Sequence, residues 1–143
     1  MNKTNQRRGS SASGARVDIK KPSKDLFSTQ ADEYAQLVHD AGGRHQNKRT
    51  QLRRFYDELE MWYSQVFSLQ LPQQREEKLN EVLPFIQMLI AKAAYAEGRR
   101  HIDKTFESFF ADLIKQIDTL DDLRNAKLFM EAFMGFYRKY GSD

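Results

Sequence analysis

From residue 26 to near the end of the chain, large apolar residues recur at every third or fourth position, and nowhere do they alternate singly with polar ones. A helix turns once in about 3.6 residues and a strand shows every second side chain on one face, so this spacing selects helices and leaves no strand. The stretch Leu52, Phe55, Tyr56, Leu59, Trp62, Tyr63 and Val66 shows the pattern most plainly, as one continuous stripe. Turn signals divide the pattern. Gly42-Gly43 ends a first helix expected over 29–41, with Tyr34, Leu37 and Val38 inward and Ser28 or Thr29 as cap. A second helix is expected over 48–68, capped by Asn47 or Thr50 and closed before Pro72. A third spans 75–97, and within it Pro84 must either start a new segment or kink a continuous one. Gly98 suits a left-handed residue after its last turn. A fourth spans 99–119, carrying Phe106, Phe109 and Phe110, and a fifth 119–140, stopped by Gly141. The expected fold is all-α, a single compact bundle of about five helices over residues 26–143.

Residues 1–25 break the pattern. They carry Lys3, Arg7, Arg8, Arg16, Lys20, Lys21 and Lys24 against Asp18 and Asp25, with no large aromatic. Such a segment is expected to be a disordered basic N-terminal tail. It reads either as solvated chain or as an arm with nonspecific affinity for polyanions. The net charge of +3 therefore sits on the tail, and the bundle is slightly acidic on balance.

The candidates for chemistry are sparse. There is no cysteine, hence no disulfide framework and no thiolate metal site, as suits a reducing, cytoplasmic compartment. His39, His45 and His101 lack the spacing of a hydrolytic or di-iron site, and Glu97 and His101 are separated by Gly98. No Gly-x-Ser-x-Gly elbow and no Gly-x-x-x-x-Gly-Lys phosphate loop occurs. No enzyme activity, cofactor or metal is expected. The longest apolar run, 82–96, is interrupted by Gln87 and Lys92 and is too short for a bilayer, and no secretory signal is read at the start.

Two basic features stand out. Arg44, Lys48, Arg49, Arg53 and Arg54 form a block at the start of the second helix, free of acids between Asp40 and Asp57. Guanidinium forks suit phosphate oxygens, yet Arg53 and Arg54 can equally pair with Asp57 and Glu58 one turn on. On the third helix, Met88, Lys92, Tyr95 and Arg99 form a second stripe away from Leu79–Ile90. Cations interleaved with an aromatic can hold phosphates while the ring stacks on a base. The alternative is packing: Met88 and Tyr95 under a neighbouring helix, with Lys92 and Arg99 reaching outward.

Three segments, in order, carry a resemblance: Thr50-Gln51-Leu52-Arg53-Arg54-Phe55-Tyr56; Leu83-Pro84-Phe85 through Lys92-Ala93-Ala94-Tyr95-Ala96-Glu97-Gly98-Arg99; and Phe129 through Gly141. Together they resemble the small helical subunit of type III-A CRISPR–Cas effector complexes, the Csm type. The resemblance implies a non-catalytic subunit that stacks in several copies into an inner filament. It also implies contact with the guide–target RNA duplex, the backbone subunit and the large signalling subunit. By position, Lys92, Tyr95, Arg99 and Arg53 or Arg54 match the family's basic and aromatic positions. With the adjacent Lys48, Arg49 and Arg100 they form the expected RNA-binding set. Glu97 stands where the family tends to have a small residue, and the tail and first helix lie outside the recognised pattern. A helical protein–protein adaptor without nucleic-acid binding is the alternative.

Overall fold

The structure, a computed structural model, describes residues 16–140. Residues 1–15 of the expected tail and the stop assigned to Gly141 lie outside the described residues. Five α-helices follow a short π-helical turn, Leu26–Gln30: α1 (Ala31–Gly42), α2 (Arg49–Phe67), α3 (Pro72–Gly98), α4 (Lys104–Lys115) and α5 (Leu120–Tyr140). No strand occurs among the described residues. α5 is the hub: α1 and α2 pack on it, α3 packs on α2 and α4, and α1 touches α4.

The periodicity fixes which faces meet. Leu52, Phe55, Leu59 and Val66 of α2 are buried, as are Phe106, Phe109, Phe110, Leu113 and Ile114 of α4. Their rings form the centre of the core. Phe106 stacks on Phe110 with centroids 5.5 Å apart, and Phe133 stacks on Tyr137 at the same separation. A buried Phe contributes roughly 1.5–3 kcal/mol of transfer free energy, so this aromatic layer dominates the apolar driving force.

Several local outcomes differ from the sequence reading. Residues 16–25 do not behave as tail. Val17 and Ile19 are buried, and Gln116 clamps the backbone between them: Ile19 N–H donates to Gln116 Oε1 at 3.0 Å and Gln116 Nε2 donates to the Val17 carbonyl at 2.7 Å. Two aliphatic side chains, the Gln116 amide and ion pairs from Arg16 and Lys20 to Asp112, Asp118 and Asp122 dock this strap, which a charge-rich composition masks in the sequence.

The first helix begins in the π-helical turn, where Gln30 N–H donates to the Asp25 carbonyl at 3.0 Å, so neither Ser28 nor Thr29 serves as cap.

The fourth helix is shorter than expected. Asp103 caps it by accepting from Phe106 N–H at 3.1 Å, and residues 99–103 form a connecting turn. The left-handed residue in that turn is Arg100, φ 64°, while Gly98 completes α3.

α3 runs through Pro84 as one helix. Pro84 and Asn80 are both exposed, so the carbonyl left without a donor faces water. Asn47 joins the ends of the bundle. It is buried with φ 59°, its Nδ2 donates to the Val38 carbonyl and to Asp103 Oδ1, and its Oδ1 accepts from Asp103 N–H. The Tyr137 hydroxyl donates to its carbonyl, and burial pushes that phenol well above its ordinary pKa. Neither Asn47 nor Thr50 caps α2, whose N-cap position is Lys48.

Candidate nucleic-acid interface

The basic candidates surround the N-terminal half of α2, where the α1–α2 loop has just turned through Gly43, φ 61°, and Asn47. This half of α2 buries Leu52 and Phe55 and leaves Arg53 and Arg54 exposed on its outer side. The neighbouring helices then divide the cations among separate grooves.

Arg54, Lys92 and Tyr95 share a groove of about 240 Å³ between α2 and α3, together with Gln51, Glu58 and His101. Lys92 Nζ lies 3.0 Å from both carboxylate oxygens of Glu58. Tyr95 is 67% exposed, so it does not pack under a neighbouring helix. Arg99 braces it from one turn on: its Nη1 donates to the Tyr95 hydroxyl at 3.0 Å, and its guanidinium carbon sits 5.8 Å from the ring centroid. The tyrosine ring therefore projects with a cation at its edge. One ring face and one guanidinium placed this way can take a base and an adjacent phosphate.

Arg49 and Arg53 lie on the other flank of α2. They line a groove of about 290 Å³ against α5, with Tyr56, Glu131, Met134 and Arg138. Arg53 reaches Asp57 one turn on, Nε to Oδ1 at 3.4 Å, as the helical spacing allows. Such an exposed pair contributes at most about 1 kcal/mol and yields readily to a competing phosphate. Arg138, a basic residue in the last turn of α5, also joins this groove.

Arg100 and Lys48 fall elsewhere. Arg100 lines an open cleft with Arg44, His45 and Glu97, and Lys48 lines a pocket with His39, Arg44 and Tyr137. The expected set is thus not one surface. Arg54, Lys92, Tyr95 and Arg99 come together, Arg49 and Arg53 form a second group, and Lys48 and Arg100 border the loop between α1 and α2.

Among the described residues, no group of three or more His, Asp or Glu side chains is arranged to hold a metal ion. No helix among them is long and apolar enough to cross a membrane.

The sequence matches the family model described as Csm2 Type III-A over residues 21–143. No curated protein and no solved structure matches the chain. The match covers both the α2–α3 groove and the α2–α5 groove, and it includes α1, which lies outside the segments that carry the resemblance.

Proposed function

Because the chain belongs to the Csm2 Type III-A family, whose members are structural subunits of the type III-A CRISPR–Cas effector complex, we propose that it contacts RNA through the α2–α3 groove within that complex. It associates with other subunits of the complex. In this reading it has no catalytic role. Several copies stack into the inner filament beside the backbone subunit, reach the large signalling subunit, and work in the prokaryotic cytoplasm.

One observation carries the RNA reading: cations from two helices, Arg54 and Lys92, share a groove with a tyrosine that is exposed and braced by Arg99. The contacts are to the phosphate backbone and to ring faces, without base discrimination, because guide–target pairing supplies the sequence. Each copy binds weakly, and arrayed copies bind one strand more tightly by sharing it.

The test uses the assembled effector carrying Lys92→Glu with Arg99→Glu. Affinity for target RNA falls, and the slope of log K against log salt flattens by about 0.7 for each single-strand phosphate that the subunit no longer neutralises. Unchanged affinity and slope overturn the reading.

A second reading is favoured by the Lys92–Glu58 pair and by exposed apolar residues on α3: an adaptor that binds only protein. It predicts that the other subunits are recovered with this chain after nuclease treatment and that RNA affinity is indifferent to the double substitution.

A further inference from the structure

The outward face of α3 is longer than the RNA groove needs, and its chemistry is graded. Taking about 100° per residue, Glu77, Glu81, Phe85, Met88, Lys92, Tyr95 and Arg99 fall within a sector of about 80°. All seven are exposed. The face is acidic toward its N-terminal end, apolar in the middle and basic toward its C-terminal end. Phe85 and Met88 are 52% and 51% exposed, unusual for large apolar side chains in a chain that buries its other phenylalanines wholly or in part. Phe85 stacks on Trp62 of α2, centroids 5.9 Å apart, which widens the apolar centre toward a second helix.

A graded face of this kind is self-complementary in one orientation. Laid antiparallel on its own copy about a two-fold axis at Met88, position 77 faces 99 and position 81 faces 95. Glu77 then meets Arg99 of the second copy, Glu81 meets the Tyr95 hydroxyl, and the two Met88 side chains touch on the axis. A parallel arrangement would set acid against acid and base against base. We propose that α3 is an isologous docking surface for a second copy of this chain, formed by the free protein. Each copy uses the same patch, so the pair closes and does not propagate, unlike head-to-tail stacking in a filament.

The face spans about 33 Å at 1.5 Å per residue and is about 10 Å wide. That offers several hundred Å² per copy, less than the roughly 800 Å² per partner of a stable complex. The pair is accordingly weak and reversible. It also covers Tyr95 and Arg99, so pairing and use of the α2–α3 groove exclude one another. The pairing itself does not depend on the RNA reading, and its test contains no RNA.

The chain has no cysteine, so Met88→Cys introduces a single thiol. On the axis it meets its own copy, and mild oxidation converts the two thiols to one disulfide-linked dimer, the oxidant taking two electrons and the solvent two protons. Ser108→Cys, exposed on α4, serves as the control. The expected result is cross-linking at least about tenfold faster for Met88→Cys. In sedimentation of the unmodified chain, a monomer–dimer equilibrium is expected, abolished in Met88→Asp while its helical content and melting temperature stay unchanged. Glu77→Arg or Arg99→Glu alone weakens the dimer roughly tenfold, and the two together restore it to within about threefold. Four outcomes overturn the proposal: a monomer up to about 0.5 mM, equal cross-linking by both thiols, failure of the double exchange to restore, or a ladder of growing oligomers.

Discussion

α3 and α4 are packed side by side, yet they use their apolar residues in opposite ways. α4 has 12 residues and buries three phenylalanines, a leucine and an isoleucine. α3 has 27 residues, and its buried residues are aliphatic or alanine, while Phe85, Met88 and Tyr95 are exposed. The two also differ in their charges: the basic residues of α4 lie at its ends, whereas Lys92 and Arg99 stand among exposed apolar side chains. A helix optimised for stability alone would not leave a phenylalanine and a tyrosine more than half exposed. The contrast separates a helix committed to the core from one whose outer face is kept for contacts.

Substitution at the centre of α4 sharpens this contrast most. Phe106 is fully buried among Phe55, Phe109, Phe110 and Phe133. Phe106→Ala is expected to cost about 3–5 kcal/mol. Tyr95→Ala on α3 is expected to change stability by no more than about 0.5 kcal/mol. Denaturant unfolding of the two variants checks the difference, and similar losses would erase the distinction between the helices.

The strap gives the next largest effect. Ile19 has no exposed surface, and both its backbone polar groups are held, N–H by Gln116 and carbonyl by Asn125 at 2.9 Å. Ile19→Ala should destabilise the fold by about 2–4 kcal/mol in the same denaturant unfolding. A variant as stable as the unmodified chain would return residues 16–25 to the status of solvated tail.

That strap marks where the sequence stops being legible. Five helices are readable because each repeats its stripe over several turns, and local spacing suffices to detect it. Val17 and Ile19 are two residues among lysines, and what holds them, Gln116, is almost a hundred positions away. The end of α3 is misread for a similar reason: the turn that contains Arg100 is held from across the bundle by Asn47, whose N–H donates to the His101 carbonyl and whose side chain bonds Asp103. The site is legible as residue types but not as a grouping. Lys92, Tyr95 and Arg99 share a face by spacing alone, whereas their meeting with Arg54, and the separation of Arg53 from both, depend on how α2 crosses α3 and α5. Arg138 carries no signal that distinguishes a groove residue from a helix-end cation.

Acid titration should produce a smaller effect at the junction of strap and α5. Thr119 and Asp122 form a capping box: Asp122 N–H donates to Thr119 Oγ1, and Asp122 Oδ2 accepts from Thr119 N–H. Burial alone would raise the Asp122 carboxyl, but hydrogen bonds from Lys20 and from the Asp118 and Thr119 backbone outweigh it and hold the pKa below its ordinary 3.8. A lowered folded-state pKa means that the stabilisation is present above about pH 4 and is lost as pH falls through the lower folded value. Lys20 is shifted upward, first by its hydrogen bond to Asp122 and then by that to Asp118, so its share is complete below 10.5 and is lost as pH rises beyond it. Asp122→Asn should lower stability at neutral pH by about 1.5 kcal/mol and flatten the acid limb of the unfolding profile. An acid limb identical to that of the unmodified chain would show that other carboxylates set it.

The smallest effect concerns the pair that ties the α3 face to α2. Lys92 is bound to Glu58 in the structure, and that carboxylate competes with a phosphate for the same ammonium. Both side chains are partly exposed, so breaking the pair costs at most about 1 kcal/mol of stability. Glu58→Gln removes the competitor and leaves the cation. If the groove holds RNA, this variant binds more tightly than the unmodified subunit when assembled, and Lys92→Gln binds less tightly. If Lys92 serves only to fix α3 on α2, both substitutions remove the same ion pair, and RNA affinity follows neither. Stability and RNA affinity measured on the same two variants therefore separate the roles: a common small drop in stability with opposite shifts in affinity marks Lys92 as an RNA-binding residue, and a common drop without a shift in affinity assigns it to the packing of α3 on α2.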